Sequence, residues 1–246
     1  MADAAQPIIK PGILSAADEK LIPVYVWEWP VRITHWVFFL SIVVLSFTGY
    51  YMYDPFVISR GSRAYVMGTM RFIHEVTAFV FIAAFLLRLY WFFRGNKWAR
   101  WQQFLPIGRE QRLDLRGQVK YYLFVRPKHV SRIGHNPLAG ATYSVIFALM
   151  LLEILTGLAL YNRILDSKVL GFFISWLPSL INIQYLREIH FLIMFALGAF
   201  LIHHVYSAVL IGIEERSGLV DGMFCGYKYF PQEILDEDTA RDEHKK

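Results

Sequence analysis

Four long apolar segments, separated by polar ones, dominate the hydropathy pattern of the chain. They cover about residues 31–53, 66–93, 138–160 and 188–213. Each is long enough to cross about 30 Å of hydrocarbon as a helix, which takes roughly 20 residues. They are continuously apolar and do not alternate like membrane-facing strands. The pattern predicts an all-α integral membrane protein: a single domain over residues 1–246 built as a four-transmembrane-helix bundle.

Composition supports this fold class and excludes several kinds of site. The chain is 56% hydrophobic, with a mean hydropathy of +0.37, which is more apolar than a soluble domain usually is. Cys225 is the single cysteine. It excludes an intrachain disulfide, a covalent CxxCH haem attachment and a cysteine-ligated iron–sulfur cluster.

The positions of lysine and arginine predict the topology. The segment 94–137 contains ten of them, whereas the segments 54–65 and 161–187 together contain five. The positive-inside rule therefore predicts a cytoplasmic 94–137 loop, with the N and C termini also cytoplasmic and 214–246 as a polar tail. The net charge of +5 is then mainly a topology signal. We expect membrane lipid, and no nucleic acid, as its counterpart.

Five histidines lie in the apolar segments, and four of them can be paired by depth. His190 and His204 are fourteen residues apart, which places them on one helix face and about 21 Å apart along its axis. Matching depths pairs His74 with His190 near the outside (the outer pair) and His35 with His204 near the inside (the inner pair). His203 is the competing inner ligand, but it lies about 140° away from the face of His190.

Neutral imidazoles in a membrane are ligands for metal ions, and haem iron is the natural candidate. Without a CxxCH motif, such haem must be the noncovalent b type. The two pairs therefore predict two b haems, with His35, His74, His190 and His204 as axial ligands of the iron. The alternative is that these histidines form hydrogen bonds between helices and hold no cofactor.

The two halves of the chain show a weak internal repeat. Arg71-Phe-Ile-His74 matches Arg187-Glu-Ile-His190, and Thr48-Gly49 matches Thr156-Gly157. The position that matches His204 is Arg88, and the position that matches His35 falls near Tyr143. The fourth segment alone has a histidine at both of the predicted ligand positions, His190 and His204, which limits the prediction to two haems.

Two further residues are candidate haem contacts. Gly49 follows His35 by fourteen residues, so it lies on the same face at the depth of the outer pair. There its missing side chain would admit a porphyrin edge; the alternative is a glycine that allows close helix packing. Arg88 is a charged residue inside the second segment, predicted either to meet a haem propionate or to extend to the membrane surface.

Several motifs resemble the b-type cytochrome subunit of membrane-bound nickel–iron hydrogenases, and the resemblance covers most of residues 25–230. The motifs are Arg32-Ile-Thr-His-Trp36 followed by Thr48-Gly49, then Gly134-His-Asn-Pro-Leu138 and Glu215-Arg-Ser-Gly218. The fourteen-residue histidine spacing is shared with a wider group that includes the formate dehydrogenase membrane subunit.

The resemblance implies a location and partners. We expect a multi-pass protein of the bacterial cytoplasmic (inner) membrane, with the hydrogenase small and large subunits on its periplasmic face. Electrons from hydrogen would reach the outer haem and leave through the inner haem to a quinone. This chain would not split hydrogen itself.

A quinone site is predicted near the inner pair, because related cytochromes bind quinone near the corresponding loop. Asn136 is the candidate donor to a quinone carbonyl, and His135 is the candidate proton carrier. The alternative for Asn136 is structural, because Asn-Pro is an ordinary signal for the start of a helix.

Three other functions compete with this interpretation. The nearest is a membrane cytochrome of another dehydrogenase, such as formate dehydrogenase. A stand-alone reductase of the cytochrome b561 type is less similar, since such proteins usually have six spans and four histidine-bearing helices. A histidine-relay transporter without haem is the third, and a visible spectrum distinguishes it.

Overall fold

A computed structural model of the chain describes residues 21–56, 65–125, 132–135, 137–215 and 218–243. Its elements, in chain order, are β1 (Ile22–Tyr25), α1 (Trp29–Tyr53), α2 (Val66–Arg94), α3 (Arg109–Tyr122), α4 (Pro137–Leu165), α5 (Lys168–Ile174), α6 (Trp176–Leu180), α7 (Ile183–Glu215), α8 (Leu219–Cys225), β2 (Tyr227–Phe230) and α9 (Gln232–Glu243), with a short 3₁₀ turn at Trp101–Gln103.

The expectation of four membrane-spanning helices is confirmed. Helices α1, α2, α4 and α7 are long and apolar enough to cross a membrane. Pro30 and Pro137 lie in the first turns of α1 and α4, where the missing N–H of proline breaks no helical hydrogen bond. Helix α4 ends at Leu165 and α7 begins at Ile183, beyond the apolar segments, because helices continue through polar residues that a hydropathy pattern does not mark.

The four long helices share one apolar core at mid-depth. Helix α1 packs along α2, α4 packs along α7, and α1 also contacts α7. Each of these helices contributes to the core, whose buried members are Ile42, Phe81, Phe85, Met150, Ile193 and Leu197. Many large apolar side chains on the outside of the bundle are exposed, for example Leu40, Phe72 and Ile202. Such a surface is stable against lipid and would be unstable in water.

At one end of the bundle, which we call the basic end, distant parts of the chain meet. Strand β1 pairs antiparallel with β2, with Ile22 opposite Phe230 and Tyr25 opposite Tyr227. A small apolar core joins these strands to the segment after α2 and the segment before α4: it contains Val26, Trp27, Val31, Ala99, Ile133 and Phe230. The described parts of both terminal segments and of the 94–137 segment therefore share one end of the bundle. That this end faces the cytoplasm stays a prediction.

The opposite end, which we call the far end, is closed by the connection between α4 and α7. Helix α5 begins after Ser167, whose hydroxyl accepts a hydrogen bond from the backbone N–H of Leu170, as an N-cap does. Ala159, Ile174, Leu177 and Leu186 form a third buried cluster that holds α5 and α6 on the ends of α4 and α7.

Candidate cofactor sites between the membrane helices

The outer pair lies between α2 and α7, towards the far end. The ring centres of His74 and His190 are 6.4 Å apart, and the rings cross at 67°. The structure therefore brings together two histidines that are far apart in the sequence.

A threonine on α1 orients the His74 ring. The Thr48 hydroxyl donates to a carbonyl of its own helix, Val44 O, at 2.8 Å. Because that bond uses its only proton, the Thr48 oxygen acts as acceptor towards His74 Nδ1, which lies 2.9 Å away. Nδ1 then carries the proton, and the lone pair of Nε2 is left for a metal ion, as in other oriented histidine ligands.

His190 has an equivalent partner on α4, together with a carboxylate. The Thr156 hydroxyl donates to Leu152 O at 2.8 Å, and its oxygen lies 2.9 Å from His190 Nδ1. A carboxylate oxygen of Glu153 lies 3.2 Å from the same nitrogen. An acceptor oxygen next to Nδ1–H strengthens the electron donation of the opposite ring nitrogen to a metal.

The outer pair lines a cavity of about 670 Å³ between the helices, within the size range of small-molecule and cofactor sites. Gly49 and Gly157 also line this outer cavity. A Cβ atom at Gly157 would lie 3.1 Å from His190 Cε1, and one at Gly49 would lie 3.4 Å from His74 Cε1. Gly49 directly follows Thr48, and Gly157 directly follows Thr156. Each glycine therefore leaves room beside the histidine ring that the preceding threonine contacts.

The inner pair lies between α1 and α7, towards the basic end. The ring centres of His35 and His204 are 6.0 Å apart. The Tyr143 hydroxyl lies 3.4 Å from His204 Nδ1, and the Phe200 ring stacks on His204 with centres 5.4 Å apart. His35 Nδ1 is buried and has no hydrogen-bond partner within the described ranges. His203, the competing ligand, is exposed.

Arg88 is buried and does not extend to the membrane surface. Its guanidinium donates from both terminal nitrogens to Ala99 O at 3.2 Å and lies 4.3 Å from the ring centre of Phe92. The contact with a haem propionate stays a prediction. The buried guanidinium is held by a backbone carbonyl and by aromatic rings.

His135 lies beside the inner pair, enclosed by aromatic rings. Its ring centre is 4.8 Å from that of Trp27, 4.7 Å from that of Phe104 and 5.3 Å from that of Tyr143. Burial and, secondly, the positive charge of Arg88 lower the pKa of His135 to about 3. His135 is therefore neutral near pH 7 in this arrangement. Asn136, the other candidate quinone contact, lies outside the described residues.

Sequence reasoning did not assign roles to Thr48, Thr156, Glu153 or Tyr143, all of which contact the histidines. The repeated Thr-Gly dipeptide was the available signal, because it recurs on α1 and α4 at the depth of the outer pair. Glu153 and Tyr143 had no comparable signal.

Comparison with known proteins defines the class of this membrane bundle. The family model for the prokaryotic cytochrome b561 family matches residues 26–226, so the chain belongs to this family of membrane cytochromes. Haem b is the cofactor that membership implies.

Individual relatives show which members of the family this chain resembles. The probable Ni/Fe-hydrogenase B-type cytochrome subunit of Bradyrhizobium diazoefficiens is 36% identical over 248 residues, covering 94% of this chain and 99% of the relative. The protein of the same name from Azotobacter vinelandii is 36% identical over 223 residues (88% and 93%). The probable Ni/Fe-hydrogenase 1 B-type cytochrome subunit of Escherichia coli K12 is 32% identical over 220 residues (86% and 93%). The resemblance inferred from the sequence motifs is confirmed.

Proposed function

We propose that this chain is the dihaem cytochrome of a membrane-bound nickel–iron hydrogenase, and that it carries electrons across the bacterial cytoplasmic membrane to a quinone. One observation carries the proposal: the two histidine pairs meet at different depths of the bundle, joined by α7. His190 and His204 are about 21 Å apart along that helix.

The spacing within each pair supports bis-histidine binding of one iron. A metal–imidazole bond is about 2.0 Å, and the nitrogen is about 1.2 Å from its ring centre, so two opposed ligands have ring centres about 6.4 Å apart. The observed separations are 6.4 Å for the outer pair and 6.0 Å for the inner pair.

The residues of the chain would restrict the chemistry to electron transfer. Haem b supplies reversible one-electron chemistry at iron when it is bound. His74 and His190 would hold one haem and His35 and His204 the other, and a haem held by two histidines would have no free site for a substrate. The outer cavity is lined by apolar side chains, which include Ile42, Phe81 and Leu197, and these would pack against the haem ring.

The names of the relatives support a hydrogenase over a formate dehydrogenase as the electron source. In this arrangement the hydrogenase small and large subunits bind at the far end, which faces the periplasm, and pass electrons to the outer pair first. The inner pair then delivers them to a quinone at the basic end, near His135 and Asn136. The excess of lysine and arginine in 94–137 supports a cytoplasmic location for the basic end.

Haem content of histidine variants tests the cofactor assignment. The purified chain should contain two haem b, measured by pyridine haemochrome and a reduced-minus-oxidised spectrum. His74→Ala and His35→Ala should each lose one haem, because one axial ligand of one site is missing, and the double variant should lose both. His203→Ala is the matched control and should keep two. Two haems in the double variant would contradict the assignment.

Activity of the complete complex with hydrogenase tests the electron route. His74→Ala should abolish hydrogen-to-quinone transfer and leave hydrogen oxidation with a soluble dye unchanged, because hydrogen is split in the partner. Asn136→Ala tests the quinone site separately: both haems and the dye activity should persist while quinone reduction falls. Quinone reduction at the wild-type rate and affinity in Asn136→Ala would show that Asn136 only starts α4.

A further inference from the structure

Two arginines that the function above does not use lie at the far-end rim of the outer cavity. Arg71 of α2 and Arg187 of α7 both line it, together with the outer pair. Each precedes its histidine by three residues and therefore lies on the same helix face, about one turn nearer the helix N-terminus. Arg71 and Arg187 are the sixth and fifth residues of their helices. Both helices begin at the far end, so both guanidinium groups belong to the rim.

Neither guanidinium forms an ion pair with another of the described residues. Arg187 reaches only Gln184 Oε1, at 3.4 Å. An arginine at a membrane end commonly extends to water, which explains one exposed arginine. It does not explain two that are related by the repeat and line the same cavity.

Charge varies with depth in the outer cavity. The two carboxylates of its lining, Glu75 and Glu153, lie deeper than the arginines. Glu75 follows Arg71 by four residues, one turn further in, and Glu153 contacts His190 Nδ1 at 3.2 Å. The cavity therefore has two arginines at its rim, apolar walls, and its two acidic side chains near the histidines. A flat ligand with two acidic groups on one edge is stable there only with that edge at the rim.

We propose that Arg71 and Arg187 each bind one of the two propionate carboxylates of the outer haem, so that its acidic edge faces the far end. This inference rests on the proposed function, because it requires a haem at the outer pair. Guanidinium is planar and donates two parallel hydrogen bonds to a carboxylate, which makes it suited to this role. Each half of the repeat supplies one of the two arginines, and one edge of a haem carries two equivalent carboxylates.

The test compares haem with its dimethyl ester, which has the same ring and iron but no carboxylates. The full chain carrying His35→Ala, which retains only the outer pair, is prepared without haem and titrated with each compound. It should bind haem at least about tenfold more tightly than the ester, because the ester cannot form charged hydrogen bonds. Adding Arg71→Gln and Arg187→Gln together should weaken haem binding to the level of the ester and leave ester binding unchanged.

One control variant and one further measurement keep the test specific. Arg163→Gln removes an exposed arginine in the last turn of α4 that is not in the lining of the outer cavity, and it should retain the tenfold preference. The double arginine variant should also lower the midpoint potential of the outer haem, because removal of nearby positive charge disfavours the gain of an electron.

Each outcome decides between causes. If the double variant still prefers haem over the ester, the arginines do not bind propionates. If its preference is unchanged but it retains less anionic phospholipid after purification, the arginines bind lipid phosphates and the proposal is wrong. If the His35→Ala chain binds neither compound, the outer haem itself is absent. That last result overturns the proposed function, and this inference with it.

Discussion

The outer and inner histidine pairs have similar separations but different surroundings. The outer pair lies in an open cavity of about 670 Å³, and each of its rings is within 2.9 Å of a threonine oxygen. The inner pair is packed among aromatic rings, and Tyr143 makes a polar contact with His204 that is long at 3.4 Å. Hydrogen bonds therefore orient the outer ligands, whereas packing orients the inner ones.

The internal repeat explains part of this difference. Each half of the chain supplies one Arg-x-x-His and one Thr-Gly to the outer site, so that this site is built symmetrically. At the basic end the repeat is broken. Tyr143 occupies the position that matches His35 in the other half, and Arg88 occupies the position that matches His204. Tyr143 contacts His204, and Arg88 is buried under the segment that follows α2.

The largest expected effect is the loss of haem from the outer site alone. Gly157→Leu places a branched side chain where even a Cβ atom would lie 3.1 Å from His190 Cε1, so the outer haem should be lost and the inner haem retained. Pyridine haemochrome should show about half of the wild-type haem per chain. Gly198→Leu on α7 is the control, because a Cβ atom there meets nothing within 4 Å. Two haems in Gly157→Leu would show that the outer cavity does not hold the cofactor.

The second prediction concerns variants that weaken haem binding at the outer site without filling the outer cavity. Thr156→Val and Thr48→Val keep the side-chain shape but remove the acceptor for the Nδ1–H of the facing histidine. Loss of such a partner typically lowers metal-site affinity by about 10–100-fold. Titration of the haem-free chain should show this for the outer site only. Thr142→Val, which removes an exposed hydroxyl bonded within α4, should change neither site. Unchanged outer affinity in both variants would contradict a hydrogen-bonded outer pair.

The third prediction concerns His135 at the basic end. Its pKa is about 3 instead of the ordinary 6.5. Because the folded state disfavours the protonated ring, His135 contributes stability above pH 6.5 that is lost as the pH falls towards 3. Between pH 6.5 and 5 the loss is about 2 kcal/mol.

Hydrogen exchange of the β1 and β2 amides, corrected for intrinsic rates, should therefore increase as the pH falls from 6.5 to 5. Arg88, Lys228 and His204 face His135 and are unchanged in His135→Leu, which isolates the contribution of this ring. The variant should show a weaker pH dependence. An equal pH dependence in the variant and the wild type would assign the effect to other groups.

The smallest expected effect is at the inner pair. Tyr143→Phe removes a hydroxyl whose contact with His204 is long at 3.4 Å, while the ring packing remains. We expect less than about a threefold change in inner haem affinity, since weak and poorly aligned hydrogen bonds contribute little. A change as large as that of Thr156→Val would show that both pairs are oriented by hydrogen bonds.

The sequence alone determined the features that depend on local pattern. Four apolar runs of sufficient length required four helices, because a backbone in lipid must satisfy its own hydrogen bonds. Helical geometry then placed His190 and His204 on one face of α7, and depth matching identified the partners on α1 and α2. The motifs around these residues were sufficient to identify the family.

Only the tertiary structure decided the features that depend on contacts between distant segments. Strands β1 and β2 have four residues each and lie about two hundred positions apart, so no local pattern could predict that they pair. Tyr143 and His204, and Thr48 and His74, meet only because the helices pack as they do. Which nitrogen of His74 and of His190 is left for a metal follows from such contacts. The ring orientation that the proposed chemistry needs is therefore a property of the packed bundle and could not be derived from helix periodicity.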